Sequence, residues 1–293
     1  MNHWRKDIAT WRSGNTLHLS VVFTWHLTKA AQLADDFRRD HKTARILAGG
    51  PAVKLQGAPW ADETPDTTPF DVLAMHNPCA TFTTRGCPNR CPFCAVPKIE
   101  GPLRELPTWK PAPTVCDNNL LAASRTHFEK VIDSLRPFPA CDFNQGLDAR
   151  LLKYWHVDGL LSLHRPTVRF ALDHTQDTPT TQKAVHRLTA RGFPKRHLGI
   201  YVLIGFDDTP QDAHHRLETV RSWGIRPNPM RFQPLDATKR NDYVAPGWTE
   251  AELRRMTHYY SRLQFLEHIP YEDFRWPRPP EPLFDANNQK IRK

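Results

Sequence analysis

The sequence predicts an α/β protein built on parallel strands, and three observations predict it. A strand-then-helix rhythm recurs six times between residues 80 and 236. An earlier strand, helix, strand unit spans His18 to Pro51. The length of 293 residues and the 39% hydrophobic content supply enough apolar side chains for one large core, or for one core and a small companion.

In chain order, HLSVVFTW reads as a strand, LTKAAQLADDFRRDH carries apolar residues at helical spacing, and ARILAGGPAV is a second strand ending in Gly49 and Gly50. Parallel strands of this kind are buried on both faces, which suits their apolar runs. No earlier strand is read before His18. Residues 55 to 79 are rich in Pro, Asp and Thr and read as a linker. The chain therefore divides into residues 1–54, a linker at 55–79, a main unit at 80–236 and a C-terminal part at 237–293.

The main unit begins with ATFTTR, which leads into a cysteine-rich loop. TVCDNN then precedes the helical stretch LLAASRTHFEKVIDSL, and ACDFNQG precedes LDARLLKYWHVDGLLSL. TVRFALD precedes TPTTQKAVHRLTARG, HLGIYVLIGF precedes TPQDAHHRLETVRSWG, and NPMRFQPL closes the set. In such folds the chemistry gathers at the C-terminal ends of the strands, where the following loops converge. Farther on, TEAELRRMTHYYSRLQFLEHI reads as an amphipathic helix with Thr249 and Glu252 as a capping box. The Pro-rich basic tail after it reads as disordered over its last ten residues.

The stretch TTRGCPNRCPFCAVPKIEG sets Cys87, Cys91 and Cys94 as CxxxCxxC. Three thiolates at that spacing can wrap one corner of a cubic four-iron cluster and leave the fourth iron without a protein ligand. An open iron is a reaction site. The competing reading is a structural zinc site closed by Cys79, Cys116 or a histidine, which would make the chain a non-catalytic, zinc-bound nucleic-acid-binding module. Zinc ribbons usually bring two CxxC knuckles, whereas the cysteines here form one cluster.

This loop resembles the CxxxCxΦC loop of the radical S-adenosylmethionine (radical SAM) superfamily, with Phe93 at the aromatic position Φ, and the resemblance runs from about Thr81 to Leu235. It implies a partial (β/α)6 barrel, a count that the six units match. It also implies a 4Fe-4S cluster on Cys87, Cys91 and Cys94, with SAM chelating the fourth iron through its amino and carboxylate groups. One electron would then cleave SAM to methionine and a 5'-deoxyadenosyl radical that takes hydrogen from a substrate. The N-terminal unit resembles the later half of the Rossmann-like cobalamin-binding domain of one large group in the superfamily. Ser20 and Gly49–Gly50 stand at a separation comparable to the serine segment and double glycine that support the cofactor's nucleotide tail. The group's DxHxxG and the first half of its domain are missing, so a truncated segment that binds no cobalamin is expected.

The resemblance also gives site roles. Asp117 and Asn118 stand where the methionyl ammonium of SAM is met, a position where a carboxylate suits a cation removed from water; either could instead cap the next helix. Asn144 and Gln145 end the third strand and could bind ribose or substrate, unless Gly146 merely allows a tight turn. Asp173 is a candidate for the ribose hydroxyls or the substrate, with His174 beside it as a candidate proton donor or a packing residue. Ile204 and Gly205 match the apolar-Gly turn that flanks adenine, and Phe93 would offer its main chain to adenine N6 while its ring shields the cluster. Arg231 and Gln233 alternate on the last strand. Facing inward they could bind the SAM carboxylate or an anionic substrate; facing outward they would be solvated.

Arg85, Arg90 and Lys98 bracket the loop, would offset the negative charge of a cluster with its cysteines, and could admit an electron donor of the flavodoxin or ferredoxin type. The formal charge of +9 and pI near 9.4 allow a nucleic-acid or nucleotide substrate, although Lys and Arg are dispersed rather than blocked. No apolar run approaches the roughly 20 residues of a membrane span, and the N-terminus lacks a secretory h-region. A cytoplasmic location is expected, where the six cysteines stay reduced.

Overall fold

The computed structural model describes residues 6–276. β1 (Ile8–Ser13) and β2 (Thr16–Val21) form an antiparallel hairpin. Gly14 turns it with a φ of 57°, the left-handed value such tight turns use. Helix α1 (Leu27–Asp40) returns the chain to β3 (Arg45–Gly49), which pairs parallel with β2. β1 is a strand that the sequence reading lacked. Only Ala9 of its six residues is buried, so it carries no alternating apolar signal.

Helices α2 (Pro51–Gln56) and α3 (Val72–His76) fall at the ends of the expected linker. Between them Glu63 bridges Leu47, and Asp62 accepts from the Ile46 amide at 2.7 Å, which lays this segment along β3. Leu17, Leu19, Val21, Ala30, Ile46 and Ala48 make a core of their own.

The chain then forms β4 (Ala80–Thr81), followed by β5 (Thr84–Arg85), α4 (Val96–Ile99) and β6 (Arg104–Glu105). β5 and β6 pair antiparallel and close the base of the cysteine loop. Next come β7 (Thr114–Val115), α5 (Arg125–Leu135), β8 (Cys141–Phe143), α6 (Tyr154–Leu161), β9 (Pro166–Ala171), α7 (Thr178–Thr189), β10 (Leu198–Ile204), α8 (Pro210–Ser222) and β11 (Arg226–Arg231). β4, β7, β8, β9, β10 and β11 lie side by side in that order, all parallel. This is the expected α/β class with six parallel strands.

The strands bury one face more than the other. In β9, Pro166, Val168 and Phe170 are buried, while Thr167, Arg169 and Ala171 are half-buried. β10 repeats the pattern, with Ile200, Val202 and Ile204 buried and Tyr201 and Leu203 less so. The buried face joins Phe128, Val157 and Leu217 of the crossover helices in one core. Each such side chain contributes about 1.5–3 kcal/mol relative to exposure. Helix α9 (Glu250–Ser261) carries the expected capping box and packs on β11, with Tyr259 and Tyr260 fully buried. The Pro-rich tail expected to be disordered lies outside the described residues.

Candidate functional site

The cysteine loop is held open by its glycines and by one carboxylate. Gly86 has φ +78°, and a Cβ there would run into the Pro102 carbonyl, so no other residue fits. Glu100 sits beneath the loop. It pairs with Arg85 at 2.7 Å, accepts from the Gly86 amide at 2.7 Å and accepts from Asn118 Nδ2 at 2.9 Å. Asn89, inside the CPNRC turn, donates to Asp148 at 3.0 Å beyond β8. The loop, the chain just after β7 and the chain just after β8 are thereby tied together. Glu100 and Asn89 were not singled out in the sequence, because a lone Glu or Asn in a loop has no periodicity to betray it.

The three thiols are half-buried and free. Asn119 Nδ2 approaches Cys87 Sγ at 3.7 Å, and the Val96 amide approaches Cys94 Sγ at 3.5 Å. Burial pushes the Cys91 and Cys94 thiols up, and the other loop thiols and Asp173 act in the same direction. Among the described residues no three His, Cys, Asp or Glu side chains converge to hold a single metal ion. The remaining candidate zinc ligand on a strand, Cys116, is buried after β7, where burial first and Asp117 second push it to about 12.

The strand-end residues differ in how far they are committed elsewhere. The Asp117 carboxylate is buried and accepts from the Thr83 amide at 2.6 Å, the Thr84 amide at 3.0 Å and the Thr83 hydroxyl. It caps no helix; Ser124 caps α5 by accepting from the His127 amide. Asn118 is half-buried against Glu100. The Asn144 carbonyl accepts from the Tyr201 hydroxyl at 2.9 Å, while Gln145 is exposed. Burial raises the Asp173 pKa, opposed by His174 and by a bond from the Leu203 backbone. His174 is half-buried next to it.

At the end of β10, Gly205 has φ +75°, and a Cβ would strike Leu253. Its amide donates to Asp208 at 3.0 Å, and the Ile204 carbonyl accepts from the Phe232 amide at 2.9 Å. Arg231 is held by Glu250 and the Tyr243 carbonyl, each at 2.6 Å, so its guanidinium is engaged with α9 and its approach. Gln233 lies past the end of β11 and exchanges two hydrogen bonds with Asn241, bracing that loop. Phe93 packs edge-on to Phe206, with ring centroids 5.5 Å apart, and Phe206 packs on Phe232 at 4.7 Å. A cavity of about 370 Å³ lies beside them, lined by Pro92, Phe93, Lys98, Phe232 and Pro234. Phe206 and Phe232 went unremarked in the sequence, where single aromatics after strands look like ordinary core.

These residues fit an iron–sulfur group. The loop offers three sulfurs, two with N–H donors. The donor facing Cys87 comes from Asn119, itself a buried residue just past β7. N–H donors facing thiolate sulfurs suit a negatively charged cluster held by them.

No protein-family model and no curated protein sequence matches the chain. Solved structures do. The radical S-adenosylmethionine methyltransferase TsrM from Kitasatospora setae, with tryptophan substrate and the SAM analogue aza-SAM bound, superposes with a TM-score of 0.55 at 11% identity, over 75% of this chain and 62% of that one. The same enzyme with cobalamin and a 4Fe-4S cluster bound gives 0.55 and 11%, over 80% and 69%. At this identity the likeness shows the fold. No helix among the described residues is long and apolar enough to cross a membrane.

Proposed function

We propose that the chain is a radical SAM enzyme. Three cysteines on one loop, converging with strand ends from across a six-stranded parallel sheet, carry the reading; the fold shared with a radical SAM methyltransferase supports it. Cys87, Cys91 and Cys94 hold a 4Fe-4S cluster on a sheet curled into a partial barrel. When bound, that group supplies the electron that cleaves SAM and so generates the radical that takes hydrogen from the substrate.

The chain's own residues bind, orient and shield. Of the pair after β7, Asn118 with its partner Glu100 meets the SAM ammonium, because the Asp117 carboxylate already serves the Thr83–Thr84 turn. Phe93, Phe206 and Phe232 keep water from the loop and flank adenine at the adjoining cavity. Asp173, held above its usual carboxylate range by burial, faces the ribose or substrate with His174 available to move a proton. Arg85, Arg90 and Lys98 offset the thiolate charge and form the approach for a flavodoxin or ferredoxin type donor.

The test is anaerobic reconstitution followed by dithionite. About four irons and four sulfides per chain are expected, with slow formation of 5'-deoxyadenosine from SAM. Cys87→Ala, Cys91→Ala and Cys94→Ala each lose the iron, while Cys79→Ala, Cys116→Ala and Cys141→Ala retain it. Stoichiometric zinc without sulfide would end this reading.

A further inference from the structure

Two loops from distant parts of the chain meet beside the cavity at Phe93. Thr24, shortly after β2, is buried, and its hydroxyl donates to the Ala237 carbonyl at 2.6 Å. Ala237 directly follows Leu235 and Asp236, which line that cavity together with Phe93 and Phe232. The residues on either side of Thr24 therefore stand at the rim of the proposed radical site. They form an aromatic platform. Phe23 and Trp25 stack with centroids 4.6 Å apart and planes 7° apart, and His26 lies edge-on to both at 6.1 Å. Phe23 is 37% exposed and Trp25 is half-buried, and neither ring joins a hydrophobic core among the described residues. Core packing does not account for the stack.

The loop on the other side of the Thr24 bond supplies cations on a fixed turn. Lys239 and Arg240 are exposed, and neither is hydrogen-bonded or ion-paired among the described residues. Asn241 after them holds φ +59°, a left-handed value that costs energy in any residue with a side chain. The Gln233 side chain fixes that conformation, accepting from the Asn241 amide at 2.8 Å and donating to the Asn241 side-chain oxygen at 3.0 Å. Asp236 and Asp242 bracket the two cations, so the loop carries no net charge. A partner drawn by charge alone gains little here, and the rings must supply much of the hold.

We propose that this junction binds a single-stranded nucleic acid, one base stacked on the Phe23–Trp25 pair and adjoining phosphates against Lys239 and Arg240, so that the strand passes the mouth of the radical site. The substrate class this names rests on the radical SAM reading of that site. Aromatic rings beside free cations hold single strands without regard to sequence, because every base has a π-face. A duplex hides those faces between its base pairs, and an apolar peptide has no use for Lys239 and Arg240.

The probe is a fluorescein-labelled strand of about 12 nucleotides, made as RNA and as DNA of one sequence, titrated into the full-length reconstituted protein and followed by anisotropy. Saturable binding is expected, with the same sequence as a duplex about tenfold weaker. Phe23→Leu, which keeps apolar bulk and removes the ring, should weaken the strand about tenfold, and Phe23→Tyr should bind like the parent. Lys239→Ala with Arg240→Ala should flatten the log–log salt dependence by about 1.4, the slope of two single-strand phosphate contacts. The tighter of the two strands assigns the partner to RNA or to DNA. Iron, sulfide and 5'-deoxyadenosine formation are measured on the same samples and should hold in every variant; a parent protein without cluster would count against the radical reading, whereas the anisotropy reads the platform by itself. No saturable binding, a duplex bound as tightly as the strand, or Phe23→Leu bound as tightly as Phe23→Tyr overturns the proposal.

Discussion

Asn89, in the middle of the cysteine loop, donates its amide to the Asp148 carboxylate beyond β8 at 3.0 Å, joining the loop to the third strand's end by a single side-chain bond. Asp148 is itself fixed by Arg150, whose Nε and Nη2 both reach it, and these bonds hold its carboxyl below the usual range against the opposing effect of burial. Asn89→Ala should cost about 1 kcal/mol of stability and shorten the loop's hold on iron. The measurement is the rate at which a chelator strips the reconstituted protein, expected to rise several-fold. An unchanged rate would mean that the glycines and Glu100 suffice to fix the loop.

Asp117 is expected to matter for stability before it matters for SAM. Replacing it with Asn turns an acceptor of two amides and a hydroxyl into a group that can satisfy fewer of them, in a buried place. Urea unfolding of Asp117→Asn should show a loss on the order of 2–3 kcal/mol. Asn118→Ala should instead weaken SAM roughly tenfold with little change in the urea midpoint. If Asp117→Asn kept full stability and lost SAM affinity, the ammonium role would pass back to Asp117.

Hydroxocobalamin is expected not to remain on the protein through gel filtration, since no DxHxxG is present in the sequence and, among the described residues, the N-terminal sheet has three strands with one crossover helix. Retained corrinoid absorbance at one per chain would reject this expectation. It would also place Ser20 and the Gly49–Gly50 pair, which line a cavity in the N-terminal unit, in contact with the cofactor's tail.

His156 should make stability depend on pH. Its Nδ1 accepts from the Lys153 amide at 2.9 Å, so the ring proton sits on the buried Nε2. Burial lowers its pKa from 6.5 to about 4. Between those values the unfolded chain takes a proton that the folded chain refuses, so this contribution is whole above pH 6.5 and falls away as pH drops toward 4. His156→Asn keeps an acceptor near the Lys153 amide without the titration. Its urea midpoint should vary less between pH 7.5 and pH 5.5 than that of the parent; parallel slopes would remove His156 from the account.

The sequence made the long strands and the cysteine loop legible, for physical reasons. β9 and β10 are apolar on one face along their whole length, and CxxxCxxC is a spacing rather than a fold. β1 was hidden because its single buried side chain gives no period. The order of the segment read as a linker was hidden too, since it comes from the main chain of Asp62 and Glu63 pairing with β3, which composition does not reveal. Arg231 and Gln233 read as a matched pair on one strand. Yet one is bound to Glu250 on α9 and the other lies past the strand's end, braced by Asn241 of the following loop, and neither partner is marked by the strand's own alternation.

The order of the six strands has a consequence for how the chain reaches this state. Each strand from β4 to β11 pairs with its nearest predecessor in the large sheet, so every ladder closes over one crossover and none waits for a distant segment. During synthesis each crossover unit can dock on the edge left by the one before it. Helix α9, arriving last, joins α8 in packing on the final edge strand, so truncation ahead of Thr249 should leave β11 less covered and prone to pair with other chains.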